Sequence, residues 1–182
     1  MKSQSSCVET LPCLKGGLVR LREVRVEDAA AFTELFKLDA VSQFLSPPPA
    51  NVEEFTAWIE LCRSRHVEGR AACYTVFTHD SDDVAGVFMC VRADNTEPQA
   101  EIGFALAPRV WGTGVFRDAA EVYIDYLFTH WKLSSLVGRT LARNHRGLGA
   151  MRKLHATIVE QTIRDNGEAE FVWQIKSSDF RS

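Results

Sequence analysis

No stretch of 18 or more apolar residues interrupts the 182-residue chain, so no transmembrane helix is expected. Cysteine is sparse and odd in number: Cys7, Cys13, Cys62, Cys73 and Cys90. No C-x-x-C pair occurs among them, and the five histidines (66, 79, 130, 145 and 155) have no ligand-like spacing. A metal site or a disulfide framework is therefore not expected. Cys62, Cys73 and Cys90 read instead as small core residues in a reducing compartment. An excess of one charge is lacking too: 21 Lys+Arg stand against 24 Asp+Glu, for a net charge of −3. No basic run alternates with aromatics, so neither nucleic acid nor an anionic membrane is an expected partner. There is no G-K-[ST] element and no Rossmann glycine triplet, which sets aside the common nucleotide-binding motifs. Residues 1–14 are Ser-rich and polar and lack the charged start and apolar core of a signal peptide. They are expected to form a mobile arm ahead of one cytoplasmic domain over 15–182.

What is present has clear periods. Residues 18–24 alternate, with Leu18, Arg20 and Arg22 against Val19, Leu21 and Glu23, and predict a strand. Apolar residues at 29, 32, 35, 36 and 38 predict a helix over 27–38, with Glu27 and Asp28 at its positive dipole end. Pro47, Pro48 and Pro49 stiffen the loop that follows Phe44 and Leu45. A second helix is expected over 52–68. Strands are expected at 73–78, 84–91, 100–107 and 133–141, and helices at 115–131 and 144–155. A hairpin, 157–163 with 170–175, is expected to turn at Asp165-Asn166-Gly167, because Asn-Gly is a strong turn signal. The order predicts an α+β domain, a mixed sheet with helices on both faces.

One segment points to chemistry. Arg109-Val110-Trp111-Gly112-Thr113-Gly114 lies between a strand and a long amphipathic helix. The first N–H groups of a helix have no carbonyl partners, and the helix dipole adds positive potential, so such a turn makes an anion site. Gly112 and Gly114 let the backbone approach a ligand and adopt positive φ. Arg109 adds a charge able to bond phosphate. Taken by itself, the hexapeptide is equally a plain tight turn before a helix.

Its company makes it more specific. The pattern R/Q-x-x-G-x-G/A resembles the signature of the GNAT N-acetyltransferases, of the branch similar to the RimJ/RimL ribosomal-protein acetyltransferases. Val19-Arg20-Leu21-Arg22 with Glu27-Asp28-Ala29 resembles the branch's opening strand and helix. Residues 100–104 resemble its fourth strand, and Asn144 with Met151, Lys153 and Leu154 its late N-x-x-S…K-L-G segment. The resemblance spans roughly residues 18 to 180. It implies a mostly antiparallel seven-stranded sheet whose fourth and fifth strands splay apart to admit the pantetheine arm of acetyl-coenzyme A. Backbone groups of Trp111, Gly112, Thr113, Gly114 and Val115 would then hold the pyrophosphate. Groups near Leu106 and Ala107 would bond the pantetheine, and Asn144 would contact the cofactor. Asn144 is also a natural helix N-cap, and the two roles are compatible.

Acetyl transfer needs a neutral amine. At pH 7, deprotonating an α-amine costs about 1 kcal/mol and a lysine about 4.6 kcal/mol, from their ordinary pKa values. An α-amine therefore asks little of a base, and a carboxylate acting directly or through water can serve. Glu101 is the candidate. It shares a strand face with Gly103, Ala105 and Ala107, a bare surface beside a carboxylate. An exposed Glu paired to a neighbour would look the same in sequence. The late segment departs from the branch pattern: Gly147 replaces its Ser, Met151 replaces the Tyr that protonates the thiolate in many GNAT enzymes, and His155 replaces the Gly of K-L-G. No catalytic acid can be assigned. The resemblance implies direct attack in a ternary complex, with a protein or peptide N-terminal α-amine or a small-molecule amine as acceptor. The protein would be a monomer or a homodimer. The alternative is a catalytically weak acyl-CoA-binding regulatory module.

Overall fold

The computed structural model describes residues 10–92 and 98–180. Cys7 and most of the expected arm lie outside those residues. The alternation at 18–24 becomes β2 (Val19–Glu23), with Val19 and Leu21 fully buried. The first helical region opens with a 3-10 turn (Val26–Asp28) and continues as α1 (Ala29–Phe36). A short helix, α2 (Asp39–Ser42), and the prolines lead to α3 (Val52–Val67). Asn51 caps α3: its side chain accepts from the Glu54 N–H at 2.9 Å, and Glu54 accepts in return from the Ala50 N–H.

β3 (Ala71–Thr78), β4 (Gly86–Val91) and β5 (Gln99–Leu106) form an antiparallel meander. β3 is buried along nearly its whole length, as a central strand covered on both faces must be. α4 (Val115–His130) then crosses to β6 (Ser135–Leu141). α5 (His145–Lys153), the hairpin β7 (Thr157–Ile163) and β8 (Ala169–Lys176), and the single turn α6 (Ser177–Phe180) complete the chain. The hairpin turns where Asn-Gly placed it, with Gly167 at φ 82.

Among the described residues the sheet has eight strands in the order β1-β2-β3-β4-β5-β6-β8-β7, not seven. The addition is β1 (Leu14–Lys15), which pairs with Leu21 and Arg20. Two residues are too short to show a period. The 10–14 segment assigned to the arm is instead docked on the body, with Leu11 buried and Leu14 packed on the core. Gly16 and Gly17 make the tight connection from β1 to β2. The carboxylate of Asp118, in the first turns of α4, accepts from the N–H groups of Gly17, Leu18 and Val19 at 2.9, 2.7 and 3.1 Å.

Helices cover both faces. On one side Phe32, Phe55 and Ile59 of α1 and α3 pack on Cys73 and Val87. On the other, Ala120, Tyr123, Ile124 and Leu127 of α4, with Leu148 and Met151 of α5, pack on Tyr74, Phe88 and Ile102. Cys62, Cys73 and Cys90 are buried core residues.

One junction shapes everything downstream. Among the described residues β5 and β6 are the only parallel neighbours, and they pair through Gln99↔Ser135, Ala100↔Leu136 and Glu101↔Val137. Residues 102–106 and 138–141 continue both strands but no longer pair with each other. These two strands correspond to the fourth and fifth of the resemblance, and they diverge as it implied.

Candidate active site

The divergence opens a cavity of about 340 Å³. Phe104, Ala105 and Leu106 of β5 form one wall, and Asn144, Arg146 and Gly147 face them from the head of α5. Trp111, Gly112 and Phe116 close the end toward α4, while Val41, Phe44 and Leu45 close the side toward α2. A larger cavity of about 530 Å³ lies between residues 10–13, residues 22–27 and Arg63, and shares no lining residue with this one.

The turn ahead of α4 has the geometry of an anion cradle. After the 3-10 turn Pro108–Val110, Gly112 takes φ 79 and Gly114, the N-cap of α4, takes φ 93. A Cβ on Gly112 would meet nothing within 4 Å, so its glycine is favoured by backbone conformation and not by packing. The N–H groups of residues 112–115 stand at the helix head, where no earlier turn supplies carbonyls. Thr113 steadies the turn by donating its hydroxyl to the Val110 carbonyl at 2.8 Å. The Trp111 N–H belongs to the turn itself and donates to the Pro108 carbonyl at 3.1 Å.

Arg109 is placed differently from the expectation. Its guanidinium donates to the carbonyls of Asp83 and Val84 at 3.1 to 3.2 Å, bracing the β3–β4 loop beneath the turn. The visible work of this charge is to hold the loop.

The end of β5 is split between the two neighbours. Ala107 donates to the Ala85 carbonyl at 2.8 Å and accepts from the Val110 N–H, so both its backbone groups have protein partners. A trans peptide points its C=O opposite the following N–H. Since the Ala107 N–H points at β4, the Leu106 carbonyl points into the gap. There it accepts from the indole Nε1 of Trp111 at 2.9 Å.

Glu101 is the last paired residue before the strands part. Its side chain is 59% exposed, with Arg139 Nε at 3.8 Å. Arg139 also lies 3.7 Å from Glu170, a buried carboxylate that Arg164 holds with a 2.8 Å bond. Glu101 does not itself line the cavity. It stands at the fork, about 13 Å along the strand from Ala105 at ~3.3 Å per residue. The bare face it shares is partly filled, because a Cβ on Gly103 would come within 3.2 Å of Met89.

The late segment explains its own departures. Asn144 caps α5 by accepting from the Gly147 N–H at 2.8 Å and also lines the cavity. A Cβ at Gly147 would sit 2.6 Å from Asn144 Nδ2. Met151 is 1% exposed and presses on Gly138, so it belongs to the core. His155 sits just past α5 at φ 55, the left-handed position where glycine is favoured. No tyrosine reaches the cavity. Tyr123 donates its buried hydroxyl to the Ala72 carbonyl at 2.7 Å, and burial pushes that hydroxyl's pKa up. His145, which the motifs did not single out, is an ionisable cavity-lining residue, as is Lys153, the Lys of the late segment. The signal available for His145 was position alone, since it follows the cap Asn144. Among the described residues no cluster of His, Cys, Asp and Glu could hold a metal, and no helix is long and apolar enough to cross a membrane.

A sheet that parts beside a glycine-rich helix head defines the class of acyl-CoA-dependent acyltransferases. Residues 19–157 match the acetyltransferase (GNAT) domain, and the chain belongs to that family. It is 24% identical over 135 residues to an uncharacterized N-acetyltransferase, p20, of Bacillus licheniformis, across 74% of this chain and 76% of that protein. Its fold is similar to Mycobacterium smegmatis RimJ in complex with CoA-disulfide: TM-score 0.82, 18% identity, 97% and 91% of the two chains covered. It is similar also to the ribosomal-protein-S5-alanine acetyltransferase of Vibrio fischeri: TM-score 0.81, 15% identity, 94% and 100% covered. The protein is an acetyl-transferring enzyme of the GNAT family.

Proposed function

We propose that this enzyme moves an acetyl group from acetyl-CoA to a primary amine by direct attack in a ternary complex. The acceptor we favour is a protein or peptide N-terminal α-amine, with small amines as the second class. The parting of β5 from β6 at Glu101 carries the reading, because it leaves one cavity running between a backbone edge and an anion-binding helix head. The pyrophosphate would sit on the N–H groups of residues 112–115. The pantetheine arm would lie along the gap-facing backbone of Leu106, with Asn144 on the opposite side. Glu101 would attract the ammonium form of the amine and take one proton, directly or through water; the neutral nitrogen then attacks the thioester carbon and gives up its second proton to water. The tetrahedral intermediate then expels the CoA thiolate, which collects a proton from water. The ribosomal-protein acetyltransferases among the fold's neighbours favour a peptide acceptor over a free metabolite.

The test is thiol release from acetyl-CoA with a panel of N-terminal peptides and small amines. Glu101→Gln is expected to lower kcat about 10²-fold and to change its pH profile. An unchanged kcat and profile would remove Glu101 from the mechanism. A second reading, an acyl-CoA-binding module with little turnover, is favoured by one observation: the position expected for a phenolic acid is the buried Met151. CoA binding without thiol release from any amine would select it.

A further inference from the structure

We propose that Trp111 and Arg146 together act as positioning residues that set the width of the gap for the pantetheine arm, an inference that rests on the acyl-CoA reading above. The observation is a bracket across the opening. Trp111, half-buried, packs against both hydrophobic cores. A side chain can touch both where the sheet between them ends or opens. Its indole donates to the Leu106 carbonyl at 2.9 Å, and the same peptide is tied on its other side by the 2.8 Å bond from the Ala107 N–H to Ala85. The final peptide plane of β5 is thus pinned from both directions.

The far end of the bracket belongs to the other strand. Arg146 lies on α5, which follows β6, and its guanidinium rests 3.9 Å above the centre of the Trp111 ring. Leu106, Trp111 and Arg146 all line the same cavity. The contact therefore links the two diverging strands at the end opposite Glu101, just before the phosphate-binding turn. An arm built of flat, uncharged amides passing there is held by spacing and by one oriented carbonyl. Such an arm needs the bracket whether or not phosphates are attached to it.

The test measures KM for acetyl-CoA and, separately, for its phosphate-free fragment S-acetylpantetheine, in the wild type, Trp111→Phe, Arg146→Ala and the double variant. Each single change is expected to raise both thioester KM values about fivefold, leaving kcat and the acceptor KM within about twofold, as loss of one positioning contact would. The double variant should be no worse than the poorer single, since the two side chains act as one unit. Arg146 is exposed, so Arg146→Ala keeps the fold and carries the test even where Trp111→Phe does not. Effects seen with acetyl-CoA and absent with S-acetylpantetheine would make Arg146 a simple phosphate contact and overturn the proposal. Multiplying effects in the double variant would overturn it as well. So would unchanged KM values in the variants when the wild type binds acetyl-CoA, whereas a wild type that binds neither thioester would sink the acyl-CoA reading itself.

Discussion

His155 holds its backbone at φ 55, where a Cβ crowds the neighbouring carbonyl, and it closes α5 by donating its N–H to the Arg152 carbonyl at 3.1 Å. Histidine tolerates this position better than branched residues do, yet glycine adopts it without the crowding. His155→Gly is therefore expected to stabilise the protein by about 0.5–1 kcal/mol, the left-handed cost less the entropy glycine adds to the unfolded chain. The urea midpoint should rise, and a fall would show that the imidazole makes a contribution of its own. Residue identities were a sound guide where local geometry decides the role, as at Gly112, Gly114 and the cap Asn144. They were a poor guide where a long side chain selects among distant partners. Arg109 could not be assigned to the Asp83 and Val84 carbonyls from sequence, because that choice depends on where the β3–β4 loop returns.

At the level of elements, α4 is fixed at its head by more than packing. Asp118 receives the N–H groups of Gly17, Leu18 and Val19, and Gly16 just before them leaves no room for a side chain beside the carboxylate. This ties the β1–β2 edge of the sheet to the helix that follows the glycine-rich turn. Asp118→Ala leaves those donors to water or to nothing and is expected to cost about 1–3 kcal/mol, read from equilibrium unfolding. A loss below a few tenths of a kcal/mol would mean that water satisfies the turn equally well. The helices and inner strands were legible because their apolar periods are long and strong: β5 and α4 begin within a residue of where the pattern placed them. β1 was hidden because two residues carry no period, and its anchor is the carboxylate of a residue a hundred positions later. Beside the cavity, Arg143 bonds the Gln43 carbonyl at 3.2 Å, pairs with Glu168 and covers Phe44 at 5.0 Å. That strap joins the α2 loop to the β7–β8 turn, and only the folded arrangement reveals it.

Across the whole molecule, acid stability has an identifiable contributor. Asp28 is 4% exposed, and burial works to raise its pKa. Two bonds from Arg22, one from the Thr75 hydroxyl and one from the Arg25 N–H outweigh burial and hold the carboxyl below its ordinary value. The folded pKa lies below the unfolded one, near 3.9. The stabilisation is therefore complete above that value and is lost as pH falls through the folded pKa. Asp28→Asn should lower Tm at pH 6 and narrow its gap to the wild type as the pH approaches 3. A gap that stays constant with pH would place the stabilisation in packing and not in charge. At this scale the α+β order and the splay were readable from the order of elements and one family pattern. The position of the fork was not, since pairing between β5 and β6 depends on how α4 returns the chain.

The fork has a mechanical meaning. Two half-sheets are joined edge to edge by three residue pairs, like a zip fastened only at its base, and the last fastened tooth is Glu101. The free lengths beyond it are spanned again at the Trp111–Arg146 contact. The opening is thus fastened at both ends, and a change at the far one leaves the three closed pairs, with Glu101 among them, in place.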